Sequence, residues 1–348
     1  MARRQAQLTR YGRRWISVVA SMMLLIGCSR PTRDARVLRV GYFPNITHAQ
    51  ALIGLANGTF QRALGPDVTI KTFVMNAGPA AIEALFAGEL DLTYIGPGPA
   101  INGYVKSDGQ ALRIVSGAAS GGAVLVVRQE SDIHVVADFA GKRVASPQLG
   151  NTQDIALRYY LTQHDLAATE QGGTVWVTPM QNADILTGFL RHEVDAAWVP
   201  EPWGARLVHE AQGRIFLDER ELWPGGMFPT AVIVVSTKAL HDRPELIARW
   251  LTAHVQLTRW IQQYPQEAQQ QVNVEISKLT GKALPEPLLR EAWSRLIFTY
   301  DLMAPLLVVS ADHAFAAGFL GRQKPDLTDL VSSTLLDQVL QQQPTPTE

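Results

Sequence analysis

Glu89-Leu90-Asp91-Leu92-Thr93-Tyr94-Ile95 and Glu193-Val194-Asp195-Ala196-Ala197-Trp198-Val199 are two versions of one phrase, 104 residues apart (195 − 91). Each has a Glu-x-Asp step that reads as a turn, then an apolar run of strand length. The interval recurs upstream. Arg39-Val40-Gly41-Tyr42-Phe43 returns as Arg143-Val144-Ala145-Ser146-Pro147 (143 − 39 = 104), and Thr72-Phe73-Val74 as Trp176-Val177-Thr178 (176 − 72 = 104). Three elements in one order at one interval imply two similar lobes, since the units of a solenoid are only about 20–50 residues long. Short Val- and Ile-rich runs alternate with helical patterns, so each lobe reads as a mostly parallel sheet flanked by helices, an α/β fold. Loops at the carboxyl ends of such strands face ligands, which places a cleft between the lobes.

The helix before each Glu-x-Asp step is amphipathic. Ile82, Leu85 and Phe86 in one, and Ile185, Phe189 and Leu190 in the other, are expected in the cores. Asp91 and Asp195 each open a strand after a turn, and their duplication favours turn or cap carboxylates over catalysis. The chain passes between lobes twice: Ala123-Val124-Leu125-Val126-Val127 follows Ser120-Gly121-Gly122, and Ala231-Val232-Ile233-Val234-Val235 follows Gly225-Gly226. Glycine-flanked strands suit a hinge. The expected division is 37–122 with 228–340 as lobe I, and 123–227 as lobe II. From Pro244 to Val339 the pattern reads as helices, one around Ala248, Trp250, Leu251 and Val255 and one around Leu288, Ala292 and Leu296, added mainly to lobe I. The Gln- and Pro-rich stretch 341–348 reads as a flexible tail.

With 348 residues, 47% of them hydrophobic, the chain is long and apolar enough for two cores. Its 31 basic and 32 acidic side chains nearly cancel, which offers no field for nucleic acid. The lone cysteine, Cys28, can form no internal disulfide and has no neighbours for a metal site, so no metal and no cofactor is expected. Its position is more telling. Arg3, Arg4, Arg10, Arg13 and Arg14 precede an apolar stretch from Trp15 to Ile26, shorter than the roughly 20 residues that span a bilayer. That pattern reads as an export signal. Leu25-Ile26-Gly27-Cys28 resembles a bacterial lipobox, which implies a signal peptide over 1–27, a lipidated Cys28 and a tether over 28–36. The other reading leaves Cys28 inside a signal cut elsewhere.

The segments Val40-Gly41-Tyr42-Phe43, Gly78-Pro79-Ala80-Ala81-Ile82-Glu83-Ala84-Leu85, Gly88-Glu89-Leu90-Asp91, Ile95-Gly96-Pro97-Gly98-Pro99, Asp138-Phe139-Ala140-Gly141-Lys142, Gly150-Asn151-Thr152 and Trp198-Val199-Pro200-Glu201-Pro202-Trp203 follow one another in order. From Val40 to about Val339 the chain thus resembles the nitrate, taurine and aliphatic-sulfonate group of periplasmic solute-binding proteins, related to the thiamine-pyrimidine-synthesis type of binding domain. The resemblance implies the two-lobed type II periplasmic-binding-protein fold. It also implies a lipid-anchored ABC-importer component, in the periplasm or at the cell surface of a bacterial membrane, that works with a permease and an ATPase. The implied ligand is a small oxyanion such as a sulfonate, taurine or nitrate. A pyrimidine-like or amine ligand, a sensor domain with the same clamp, and a thiamine-pyrimidine-synthesis enzyme are the alternatives. The enzyme type uses a cysteine-rich segment, whereas no Cys follows Cys28 and no Ser-His-Asp spacing is present. His48 reads as a surface or capping residue.

The candidate ligand loops, 42–47, 76–79, 95–99, 120–122, 146–153 and 200–203, contain neither Lys nor Arg. An anion there must be held by backbone N–H groups, hydroxyls and helix amino termini. Asn45, Gly78, Pro79, Gly96, Pro97, Ser120, Gly121, Gly150, Asn151, Thr152 and Gln153 are the candidates, with helix capping the plainer role for Asn151 and Thr152. Asp154 already occupies part of one such terminus. Tyr42, Phe43, Tyr94, Trp198, Trp203 and Phe228 are aromatics for the apolar part of the pocket, Tyr94 and Trp198 reading equally well as core. Glu201 either points to solvent, pairs with a cation, or recognises an amine or heterocycle N–H.

Overall fold

The structure, a computed structural model, describes residues 36–343; the export segment, Cys28, the tether through residue 35 and the last five residues lie outside the described residues. The first leg comprises β1 (Val37–Tyr42), α1 (Ala49–Ala56), α2 (Thr59–Leu64), β2 (Thr69–Val74), α3 (Gly78–Phe86), β3 (Leu92–Ile95), α4 (Pro97–Lys106) and β4 (Leu112–Gly121). The second comprises β5 (Ala123–Arg128), β6 (Arg143–Pro147), α5 (Thr152–Thr162), β7 (Trp176–Met180), α6 (Asn182–Leu190), β8 (Ala196–Pro200), α7 (Trp203–Ala211) and β9 (Gly213–Asp218). The chain then returns through β10 (Pro229–Ser236), α8 (Thr237–Asp242), α9 (Pro244–Gln263), α10 (Pro265–Thr280), α11 (Glu286–Ser294), β11 (Leu296–Phe298), α12 (Ala304–Ala316) and α13 (Thr334–Gln342).

The strands make two sheets, ordered β11-β4-β10-β3-β1-β2 and β7-β6-β8-β5-β9. β1 lies parallel to β3, and β6 parallel to both β7 and β8. The strands on either side of the crossings, β4, β5 and β10, join antiparallel. The passage from β4 to β5 runs through Gly121 and Gly122 at φ of 76° and 72°, a left-handed conformation that favours glycine. Alternate strand residues feed opposite faces: Ala231, Ile233 and Val235 enter one core while Val232 and Val234 enter another. In the second sheet Leu125 and Val127 face one core and Val124 and Val126 the other. Sheets buried on both faces explain why these strands read as unbroken apolar runs.

The duplicated Asp has the same role twice. The Arg39 N–H donates to Asp91 Oδ2 at 2.8 Å, and the Arg143 N–H to Asp195 Oδ2 at 2.9 Å. In return the Asp91 N–H donates to the Arg39 carbonyl at 2.9 Å, and the Asp195 N–H to the Arg143 carbonyl at 2.8 Å. Asp91 is fully buried, between the guanidinium groups of Arg39 (3.6 Å) and Arg243 (2.6 Å). Asp195 is 14% exposed and pairs with Arg128 and Arg143.

Two expectations are corrected, each at equivalent places in both lobes or at an element end. Phe86 and Leu190 are 45% and 53% exposed, while Ile82, Leu85, Ile185 and Phe189 are buried. Each is the last residue of its helix, where the covered face runs out. Leu296 is not on a helix: α11 ends at Ser294, and Leu296 begins β11, pairing with Gly121.

Removing the carboxylate should separate the two lobes' versions of this contact. Asp91→Ala leaves two guanidinium groups around a buried gap and is expected to lower unfolding stability by about 3–5 kcal/mol. Asp195→Ala, nearer water, should cost only about 1 kcal/mol. Urea denaturation of both variants checks the order.

Candidate ligand-binding cleft

Four helices begin just beyond strands whose carboxyl ends face the gap between the lobes: α3 after β2, α4 after β3, α5 after β6 and α6 after β7. First-turn N–H groups lack intrahelical acceptors and carry the positive end of the macrodipole. Residues from all four termini, Asn76, Gly96, Asn151, Thr152, Gln153 and Asn182, line one cavity. Phe43, Asn45, Thr47, His48, Pro200 and Thr230 complete its wall. None of these twelve is Asp, Glu, Lys or Arg, so the wall is dipolar and not ionic. The volume is about 20 Å³, room for roughly one water. The wall repeats itself: Thr47 and Asn151, His48 and Thr152, and Gly96 and Pro200 stand 104 residues apart, the interval of the sequence repeat.

The lobes touch around this cavity. The Gly98 N–H donates to Thr152 Oγ1 at 3.2 Å, and Trp203 Nε1–H donates to Asn45 Oδ1 at 3.2 Å. His313 of α12 stacks on Tyr159 of α5 with ring centres 3.8 Å apart. Gly96 admits this approach because a Cβ there would stand 2.2 Å from Thr152 Oγ1.

At the α5 terminus the Thr152 N–H is bonded to Asn151 Oδ1 at 2.8 Å. The Gly150 N–H is held by Asp154 Oδ2 at 2.8 Å. Asp154 does not confront the cavity: it also accepts from Ser146 Oγ at 2.6 Å and from Arg158 Nε at 3.1 Å. Gln153 and Asp154 begin the helix with N–H groups that lack an intrahelical acceptor. His48 is buried, contrary to the surface reading, and stacks on Phe43. The Phe43 N–H donates to His48 Nδ1 at 3.2 Å, so Nε2 carries the proton. Burial lowers its pKa to about 3, and at neutral pH it is an uncharged donor.

Of the sequence candidates, the structure gathers Phe43, Asn45, Gly96, Asn151, Thr152 and Gln153 at the cavity. Trp203 stands at its rim through Asn45. Gly78 and Pro79 form the first turn of α3, where Gly78 packs against Pro99. Ser120 and Gly121 lie at the crossing, the Ser120 Oγ accepting from the Phe228 N–H at 3.1 Å. Tyr42 and Trp198 belong to the cores, and Phe228 stacks on Trp223. Of the three readings of Glu201 the structure shows the pairing with a cation: it is fully buried, with Oε1 2.5 Å from Arg295 Nη1 and Oε2 accepting the Ala205 N–H at 3.0 Å. A cation offsets the cost of burying an ionised carboxylate, and this one comes from the far lobe. Asn182, Thr230 and the cavity role of His48 were missed. The repeat could have found two of them, since Asn182 is Gly78 plus 104 and His48 is Thr152 minus 104.

Thr152 also walls a second cavity of about 20 Å³, together with Pro97, Gly98, Glu219, Trp223 and His313. Trp198 Nε1–H donates to Glu219 Oε2 at 2.8 Å. Burial pushes the Glu219 carboxyl up to about 7, against the pull of the Trp198 and Trp223 N–H groups. Among the described residues no three His, Cys, Asp or Glu side chains are grouped to hold a metal, and no helix is long and apolar enough to cross a membrane.

The family model of the NMT1-like family matches residues 32–277. A Bacillus subtilis protein named as an aliphatic sulfonates-binding protein is 23% identical over 94% of this chain and 96% of its own. A binding protein of Brucella abortus is 28% identical over 52% of this chain; the match spans about half of that relative, 53%. Among solved structures, the alkanesulfonate-binding protein of Xanthomonas axonopodis pv. citri, bound to MOPS, has a TM-score of 0.71 at 18% identity, covering 87% of this chain and 100% of that one. The periplasmic nitrate-binding protein of Synechocystis has a TM-score of 0.71 at 14% identity, covering 90% of each chain. The two-lobed periplasmic-binding fold is thereby shared.

Glu219 gives the interface a pH signature. Its native pKa of about 7 lies above the ordinary 4.5, so between these values the folded state holds a proton that the unfolded state lacks. Its stability contribution is full below about pH 4.5 and is lost as pH rises through 7. Glu219→Gln removes that loss. Relative to the parent, the variant should gain on the order of 3 kcal/mol between pH 5 and pH 8, read from urea midpoints at both.

Proposed function

The chain belongs to the NMT1-like family, and on that premise we propose that it is the extracytoplasmic solute-binding lipoprotein of an ABC importer, capturing a small oxyanion such as a sulfonate, taurine or nitrate between its lobes. The observation that carries this reading is the meeting of four helix amino termini on a wall of amides, hydroxyls and a neutral imidazole with no ionised side chain. Oriented N–H dipoles attract negative charge without a counter-ion. The names of the relatives, which refer to sulfonates and nitrate, support the same ligand class. The amine and pyrimidine alternatives leaned on Glu201, whose charge is engaged by Arg295.

A sulfonate exceeds the room left in the cavity, so capture requires the lobes to part about the Gly121-Gly122 and Gly225-Gly226 segments and close again over the ligand. Partners are a permease and an ATPase; a lipid on Cys28 holds the protein at the membrane.

A thermal-shift screen of nitrate, taurine and alkanesulfonates should give a rise for at least one, about 2.7 kcal/mol of added stability at 100 times its dissociation constant. Thr152→Glu, which sets a carboxylate at the α5 terminus, should weaken that ligand at least about tenfold in calorimetry, while Thr152→Ser retains binding. Full binding by Thr152→Glu would sink the oxyanion reading. For the anchor, Cys28→Ala should move the protein from the membrane to the soluble fraction, and an unlipidated parent would overturn that part.

A further inference from the structure

The small cavity has a neighbour. Asn76 and Asn182, which line it, also line an outer cavity of about 620 Å³ between the lobes. The outer wall is largely apolar, with Ala77, Ala80, Pro147, Leu149, Pro179 and Met180. At the neck shared by the two spaces, Asn182 is only 9% exposed, and its Oδ1 is buried without a hydrogen-bond partner. A buried amide oxygen can only accept, and leaving it unpaired is unfavourable. Neither wall contains an Asp or Glu, so a charged ammonium reaching the neck would lose its water with no carboxylate in compensation.

Resting on the oxyanion reading above, we propose that Asn182 selects a ligand by a neutral donor next to its charged head: an oxyanion bearing a hydroxyl or amide N–H on the first or second carbon, with an apolar tail in the outer cavity. The head sits at the helix termini. The donor meets Asn182 Oδ1 at the neck, and the tail runs outward along Leu149 and Met180. This chemistry ranks a hydroxylated alkanesulfonate above its plain counterpart.

The test is calorimetric titration of the mature protein with hexane-1-sulfonate and 2-hydroxyhexane-1-sulfonate, probes that differ by one hydroxyl. The parent should bind the hydroxylated probe about fivefold more tightly or better. Asn182→Leu, similar in size and without an acceptor, should bind the two within about twofold of each other. Equal affinities in the parent, a measurement that needs no variant, would overturn the role of Asn182 while leaving the oxyanion reading intact. So would a preference retained in Asn182→Leu. Binding of neither probe to the folded parent would overturn the proposed tail and donor sites, while the oxyanion reading would still stand or fall by the nitrate, taurine and alkanesulfonate screen.

Discussion

In each lobe an aspartate at the start of one strand accepts the N–H of an arginine at the start of its neighbour, while the reverse N–H···O=C bond closes the ring. This exchange pins β1 to β3 and β6 to β8 at their amino ends. Parallel strands held level at one end arrive level at the other, so the turns that follow them start at a common height. The cavity wall reflects that frame, because equivalent residues of the two repeats meet across it. The two anchors differ in depth. Asp91 lies in full burial between two arginines, whereas Asp195 borders water.

Around the cavity the ionised groups are turned aside and paired. Asp154 is neutralised by Arg158, and Glu201 by Arg295, each pair packed behind an element that borders the cleft. What reaches the cavity is the dipolar remainder: amides, hydroxyls, N–H groups and an imidazole kept neutral by burial. On the proposed reading, such a surface would attract an anion through oriented N–H dipoles alone.

The fold was legible because the chain carries its plan twice, and a spacing of 104 residues survives changes in nearly every side chain between the copies. The loops were legible too, as glycines and prolines punctuate them. Direction was harder. Trp198 and Glu201 come from the motif that borders the cleft, yet Trp198 turns into a core as strand alternation requires. The partner that decides Glu201, Arg295, is 94 residues away, and no local pattern announces it. Phe86 and Leu190 are the last residues of their helices, and an apolar pattern does not announce where a helix stops being covered, a misreading repeated in both lobes. Asn182 was overlooked because an Asn at a helix start has an ordinary explanation; only the geometry reveals its unpaired oxygen.

The neutrality of the wall has an evolutionary consequence. If the pull on negative charge resides in main-chain dipoles, most single replacements along the wall leave it in place, since only a proline removes an N–H and only an added carboxylate opposes it. Side chains are then free to vary the size and trim of the chamber. One lineage could drift from nitrate-sized to sulfonate-sized occupants through a series of working intermediates, without passing through a sequence that binds nothing.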